Sequence, residues 1–222
     1  MNVQITHIQK NYRKNQVLKD ISLEATGGTC IGILGCNGSG KSTLLSILAG
    51  VLRPDGGSFL CDGKDLFRDS ALRAKLVGYV PQGTPLIEEL SAKDNLLLWY
   101  TPQKLQEELE SGVLKMLGID TFLKVPVNKM SGGMKKRLSI GCSVVNRPPI
   151  LLLDEPTAAL DIACKQHITD YLRSYKKSGG LLLLTTHDAL ELDLCDAWYI
   201  IRNGALVPFQ YDGNLHKLIE SL

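Results

Sequence analysis

Apolar and polar positions alternate in two early runs, residues 3–8 and 21–24, on either side of the polar stretch 10–15. A period of two marks half-buried strands, so the start of the chain predicts an antiparallel pair. The pattern then changes. Residues 29–34 form a buried strand, a glycine-rich segment follows, and residues 41–49 have the apolar spacing of a helix closed by Gly50, giving a strand, loop and helix in succession. Residues 52–57 (LRPDGG) carry strong turn chemistry and lead into a strand at 58–61, a turn at Asp62 and Gly63, and a further strand at 76–80 that stops at Pro81.

From 82 to about 146 the β-type pattern gives way to helical spacing, with helices expected at 92–100, 104–117 and 132–145. Two buried runs then follow, the wholly apolar 150–153 and the run 181–185, separated by a helical pattern over 162–176. Strands that are apolar on both faces and alternate with helices indicate a mostly parallel sheet covered on both sides, so the fold class is α/β. A hairpin is expected over 198–209 around Asn203 and Gly204, and a last short helix at 214–222. The division this suggests is one domain over 1–222, with a core and β portion at about 1–82 and 147–222 and a helical subdomain at about 83–146.

Composition narrows the class without naming a chemistry. At 222 residues, 44% hydrophobic and 22% charged, the chain fits one globular domain. Its 25 basic and 23 acidic residues leave a net charge of +2, so no nucleic-acid partner is expected. No apolar run approaches the roughly 20 residues needed to span a bilayer, and residues 1–14 lack the apolar core of a secretory signal, so a cytoplasmic location is expected. The six cysteines are scattered, with no CxxC pair, and are read as reduced thiols without zinc.

The segment Gly35, Cys36, Asn37, Gly38, Ser39, Gly40, Lys41, Ser42 matches GxxxxGK[ST] between a predicted strand and a predicted helix. Glycines there let successive backbone N–H groups turn toward a polyphosphate, and the helix adds its positive dipole end. Lys41 would reach the β and γ phosphates, and the Ser42 hydroxyl would coordinate Mg²⁺. Asp154 and Glu155 end the run 150–153, which delivers both carboxylates to the sheet edge where ligands of open α/β sheets bind. Asp154 is expected to hold Mg²⁺ through its water shell, and Glu155 to orient or deprotonate the attacking water. Two acids solvating a strand end would look the same in sequence.

With these residues in order, the chain resembles an ATP-binding cassette (ABC) ATPase, of P-loop NTPase (RecA-like) fold, along nearly its whole length. GCNGSGKST ends at Thr43, YVPQ at Gln82 resembles the Q loop, and MSGGM around Ser131, Gly132 and Gly133 resembles the signature. ILLLDEP resembles Walker B, AALD ending at Asp161 the D loop, and His187 stands where the switch histidine belongs. The resemblance implies ATP and Mg²⁺ as cofactors and assigns Gln82 to the metal or the water. Tyr12 would stack on adenine, with an ordinary loop tyrosine as the alternative, and His187 would bond the γ-phosphate. Ser131, Gly132 and Gly133 open a helix and would bind the γ-phosphate held by a second subunit, so two cassettes face each other head to tail. The usual LSGGQ is altered here, with Met130 for Leu and Met134 for Gln. Lys135, Lys136 and Arg137 read as a solvated helix face, and His7, His167 and His216 are assigned no role.

Within that family the leading reading is the ATPase subunit of a transporter whose membrane half is a separate permease chain. PQGTPLIEELSAKDNL and SGGMKKRLS resemble the exporter branch. Two other classes stay open: a soluble ABC ATPase without transport, of the iron–sulfur assembly type, and a nucleotide-binding module that no longer hydrolyses. Glu155 and His187 argue against the last, and the altered signature keeps it open.

Overall fold

A computed structural model describes residues 1–13, 15–213 and 220. The amino-terminal alternation is realised as β1 (Asn2–Tyr12) and β2 (Asn15–Thr26), an antiparallel pair that buries Val3, Ile5 and Ile8 against Leu18, Ile21 and Leu23. Next come β3 (Cys30–Leu34), α1 (Lys41–Ala49), β4 (Gly56–Cys61), β5 (Lys64–Asp65), α2 (Ser70–Leu76) and β6 (Val77–Val80). Strands β4 and β5 extend the antiparallel portion from β1.

After β6 the chain is helical: α3 (Ala92–Leu97), α4 (Pro102–Glu110), α5 (Val113–Met116) and α6 (Gly132–Ser143). It returns to the sheet through β7 (Ile150–Asp154), α7 (Ile162–Lys177), β8 (Leu181–Thr185), α8 (Ala189–Leu192), and the hairpin β9 (Ala197–Arg202) and β10 (Ala205–Phe209). The helix expected at 214–222 lies outside the described residues, apart from position 220.

Among the described residues ten strands form one sheet, in the order β5-β4-β1-β2-β10-β9-β3-β8-β7-β6. From β9 to β6 every neighbouring pair is parallel. All five residues of β3, β7 and β8 are buried, and the reason is visible in where they point. Leu151, Leu153, Leu182 and Leu184 pack with the helices α3 to α7, whereas Ile150, Leu152, Leu181 and Leu183 pack with α1 and the β1–β2 layer. Successive side chains of a strand face opposite sides, so a sheet covered twice needs an unbroken apolar run.

Two sequence expectations are corrected. The helix expected at 104–117 is interrupted at Gly112, which is extended and lies so near Glu108 that a Cβ there would be 2.1 Å from Glu108 Oε2. The Glu108 carboxylate accepts the Val113 N–H at 2.8 Å, and so starts a new helix rather than letting the old one continue. The charged run in α6 is not a solvated face either: Lys136 is 5% exposed, and Arg137 is half-buried with its guanidinium 5.0 Å from the Phe122 ring centroid. No helix among the described residues is long and apolar enough to cross a membrane.

Candidate functional site

The parallel strands deliver their carboxyl ends to one edge of the sheet, and the loop after β3 turns back over that edge into α1. Gly35 has φ +147°, and a Cβ there would meet Ser39 Oγ at 2.6 Å; Gly40 has φ +107°, and a Cβ would meet Leu18 Cδ2 at 2.8 Å. Only glycine fits both positions without strain. Gly40 caps α1 without a side-chain hydrogen bond, which leaves the first N–H groups of the helix available to an anion.

Lys41 is 6% exposed, and its Nζ donates to the carbonyls of Gly35 at 2.6 Å and Cys36 at 3.1 Å. Burial lowers its pKa, while Glu155 and Asp154 pull it back up. A cavity of about 430 Å³ brings together Asn37, Gly38, Gly40, Lys41, Ser42, Thr43, Gln82 and Glu155. Gly35, Cys36 and Ser39 shape the loop without lining this cavity.

Strands β7 and β8 run in register, so Asp154 is the neighbour of Thr185. The Thr185 hydroxyl donates to Asp154 Oδ1 at 2.6 Å and accepts the Glu155 N–H at 3.0 Å. One threonine thereby fixes both acids. Asp154 is 3% exposed, behind the cavity wall, while Glu155 turns out of the strand at φ +46° into the wall itself. There the Gln82 Nε2 donates to Glu155 Oε2 at 3.1 Å.

Glu155 also lines a second cavity of about 200 Å³, with His187, Ala158, Ala159, Asp188 and Glu191. The His187 pKa is lowered by burial and then by the charge of Lys41, against an opposing pull from Glu155. Its imidazole is therefore neutral near pH 7, with one donor and one acceptor nitrogen.

The remaining sequence candidates sit apart from these cavities. Tyr12 ends β1, is 44% exposed, and has Lys10 Nζ 5.7 Å from its ring centroid. Ser131 caps α6 by accepting the Met134 N–H at 3.3 Å, and Ser131 and Gly132 are exposed while Gly133 is buried. Asp161 caps α7 by accepting the Cys164 N–H at 2.9 Å, a bond that lowers its pKa. Sequence reasoning missed Val17, which lines the phosphate-loop cavity from β2, as well as Thr185 and Glu191. Thr185 could have been found from the TT that ends an apolar strand, since its parallel neighbour ends in an acid; Val17 carries no such signal.

A glycine loop closing onto a buried lysine, with a histidine just past the adjacent strand and two acids ending the strand beyond it, defines a P-loop nucleotide-binding site. A structural likeness refines this: a dimeric ATP-binding cassette in a post-hydrolysis state, bound to ADP and Pi, superposes with a TM-score of 0.82 at 26% identity over 92% of this chain and 96% of that one. A nucleotide-free cassette from an ABC transporter, at 22% identity and a TM-score of 0.83, shares the fold over 100% of this chain and 96% of that one. The family model for ABC transporters matches residues 18–158, and the chain belongs to that family. Nod factor export ATP-binding protein I of Sinorhizobium fredii is 35% identical over 98% of this chain, which spans 64% of that relative's length. The lantibiotic transport ATP-binding protein SrtF of Streptococcus pyogenes is 31% identical over 99% of this chain and 96% of its own.

Proposed function

We propose that the chain holds MgATP between the phosphate loop and Glu155, closes on it together with a second cassette, and uses its hydrolysis to drive export through a separate transmembrane chain at the cytoplasmic face of the membrane. The observation that carries the reading is the position of Glu155. It stands in the wall shared by the phosphate-loop cavity and the His187 cavity, bonded to Gln82 and anchored through Thr185 to Asp154.

The groups near the phosphates suit Mg²⁺, since the Ser42 hydroxyl, the Asp154 carboxylate and the Gln82 carboxamide are all hard oxygen donors. Bound there, the ion would neutralise charge on the β and γ oxygens. The chain's own groups do the rest. Lys41 and the N–H groups of the loop hold the phosphates, Gln82 and Glu155 orient a water, and Glu155 accepts its proton. Neutral His187 donates to the γ-phosphate, and the exposed Tyr12 ring offers a flat apolar face to adenine.

Ser131, Gly132 and Asp161 are exposed and stand apart from the cavity of their own chain. That placement supports their serving an ATP held by a partner cassette. The names of the relatives, which speak of Nod factor export and lantibiotic transport, support export as the direction.

Glu155→Gln keeps the shape of the side chain and removes the base. ATP binding should survive while turnover falls by about a hundredfold or more, and ATP, but not ADP, should then hold the variant as a dimer in size-exclusion chromatography with light scattering. Adding Ser131→Arg should return it to monomer. Undiminished turnover in Glu155→Gln would refute the role given to Glu155, and a variant that stays monomeric in ATP would refute the self-pairing.

A further inference from the structure

The charged run of α6 contains one side chain that the reading above leaves unused. Lys136 stands three residues beyond Gly133 and is 5% exposed. Its Nζ donates to the carbonyls of Pro81 and Gln82, each at 2.9 Å. Burying an ammonium is unfavourable unless hydrogen bonds and opposite charge compensate it. Here burial lowers the lysine's pKa while Asp154, Glu191 and Glu155 raise it, so the charge lies within the field of the site's own acids.

The two carbonyls belong to the segment that carries the water-orienting amide. Past β6 the chain has no regular structure until α3, and Gln82 is the exposed second residue of that stretch. Its backbone is held from α6 by Lys136, and its side chain reaches Glu155 Oε2 at 3.1 Å. A second tether runs parallel to the first, from Ser143 Oγ at the far end of α6 to the carbonyl of Tyr79 at 3.0 Å. The helix that opens with Ser131 and Gly132 thus grips β6 and the segment after it at two points, and only the Lys136 grip touches Gln82.

We propose that Lys136 is a positioning residue for ATP hydrolysis: it fixes the Gln82 backbone so that the carboxamide meets Glu155, and thereby links the signature helix to the water site within one subunit. The inference rests on the reading of Gln82 and Glu155 given above. It is chemically specific. A methylene stem crosses the apolar interior, and a head with several donors satisfies two carbonyls, which a shorter neutral side chain cannot do together.

The test is a double-mutant cycle in steady-state ATP turnover by the full chain, with folding checked by circular dichroism. Lys136→Met should lower kcat about tenfold with KM for MgATP changed by less than about twofold, because the loss falls on the water site and not on nucleotide binding. Lys136→Arg, which retains the donors, should recover most of the loss. In a Gln82→Ala background Lys136→Met should cost less than about twofold, since the group it positions is gone. If Lys136→Met fails to fold, Lys136→Gln carries the same comparison.

A full additional loss in the Gln82→Ala background, or normal kcat in a folded Lys136→Met, overturns the proposal while leaving the reading of Gln82 intact. Normal turnover in Gln82→Ala would instead overturn that reading, and this inference with it.

Discussion

Glu191 shows how much one buried carboxyl can contribute. It is 1% exposed, its Oε1 meets no donor at hydrogen-bond distance among the described residues, and burial pushes its pKa up to about 7, with the charge of Asp188 acting in the same direction. The Thr186 hydroxyl and the backbone of Thr157 oppose this only in part. The sign follows from linkage: the folded chain keeps a proton that the unfolded chain releases near pH 4.5, so stability falls as pH rises from there through about 7. The loss approaches about 3 kcal/mol above that range. Glu191→Gln should be flatter between pH 5 and pH 8 and more stable than the parent at pH 8 in urea unfolding. An identical pH slope in parent and variant would show that Glu191 does not hold its proton.

Between elements, the contact of α6 with α7 sets a different constraint. A Cβ on Gly133 would lie 2.3 Å from Cys164 Sγ and 3.0 Å from its Cβ, so the glycine is required by the closeness of two helices as well as by any phosphate contact. Gly133→Ala should cost about 1–3 kcal/mol of unfolding free energy. Removing the sulfur with Cys164→Ala in the same chain should return part of it, and thermal unfolding of the two variants decides this.

Such contacts also mark the limit of what the sequence discloses. The apolar runs at 150–153 and 181–184 could be read as doubly covered strands because burial on both faces leaves no polar position, and the phosphate loop could be read because its glycines are spaced by the backbone they must form. The break at Gly112 could not, because it depends on where the Glu108 carboxylate goes. Lys136 could not, because a lysine that reaches Pro81 and Gln82 has the same neighbours in sequence as one that reaches water. The pairing of Asp154 with Thr185 is legible only once the parallel register of β7 and β8 is known.

For the whole molecule, the exposed apolar residues matter most where they adjoin the residues assigned to a partner. Ile162 is 81% exposed and directly follows Asp161, at the amino end of α7. A side chain so exposed contributes little to the monomer. Ile162→Asp should leave monomer stability within about 0.5 kcal/mol, the new charge being well placed at a helix start. It should also weaken the ATP-dependent dimer of Glu155→Gln, measured as a higher concentration for half-association by light scattering. Unchanged association would remove this edge from the interface.

The strand order has a consequence in time. β3, which leads into the phosphate loop, lies between β8 and β9, and its partners are made only after about 150 further residues, which takes roughly 10–30 s of synthesis at ordinary elongation rates. Until then an entirely apolar strand emerges from the ribosome with both edges unpaired. The nascent chain therefore passes through an interval in which it can bind neither nucleotide nor partner, and its vulnerability to chaperone capture and aggregation ends when Leu181–Thr185 and Ala197–Arg202 arrive to flank it.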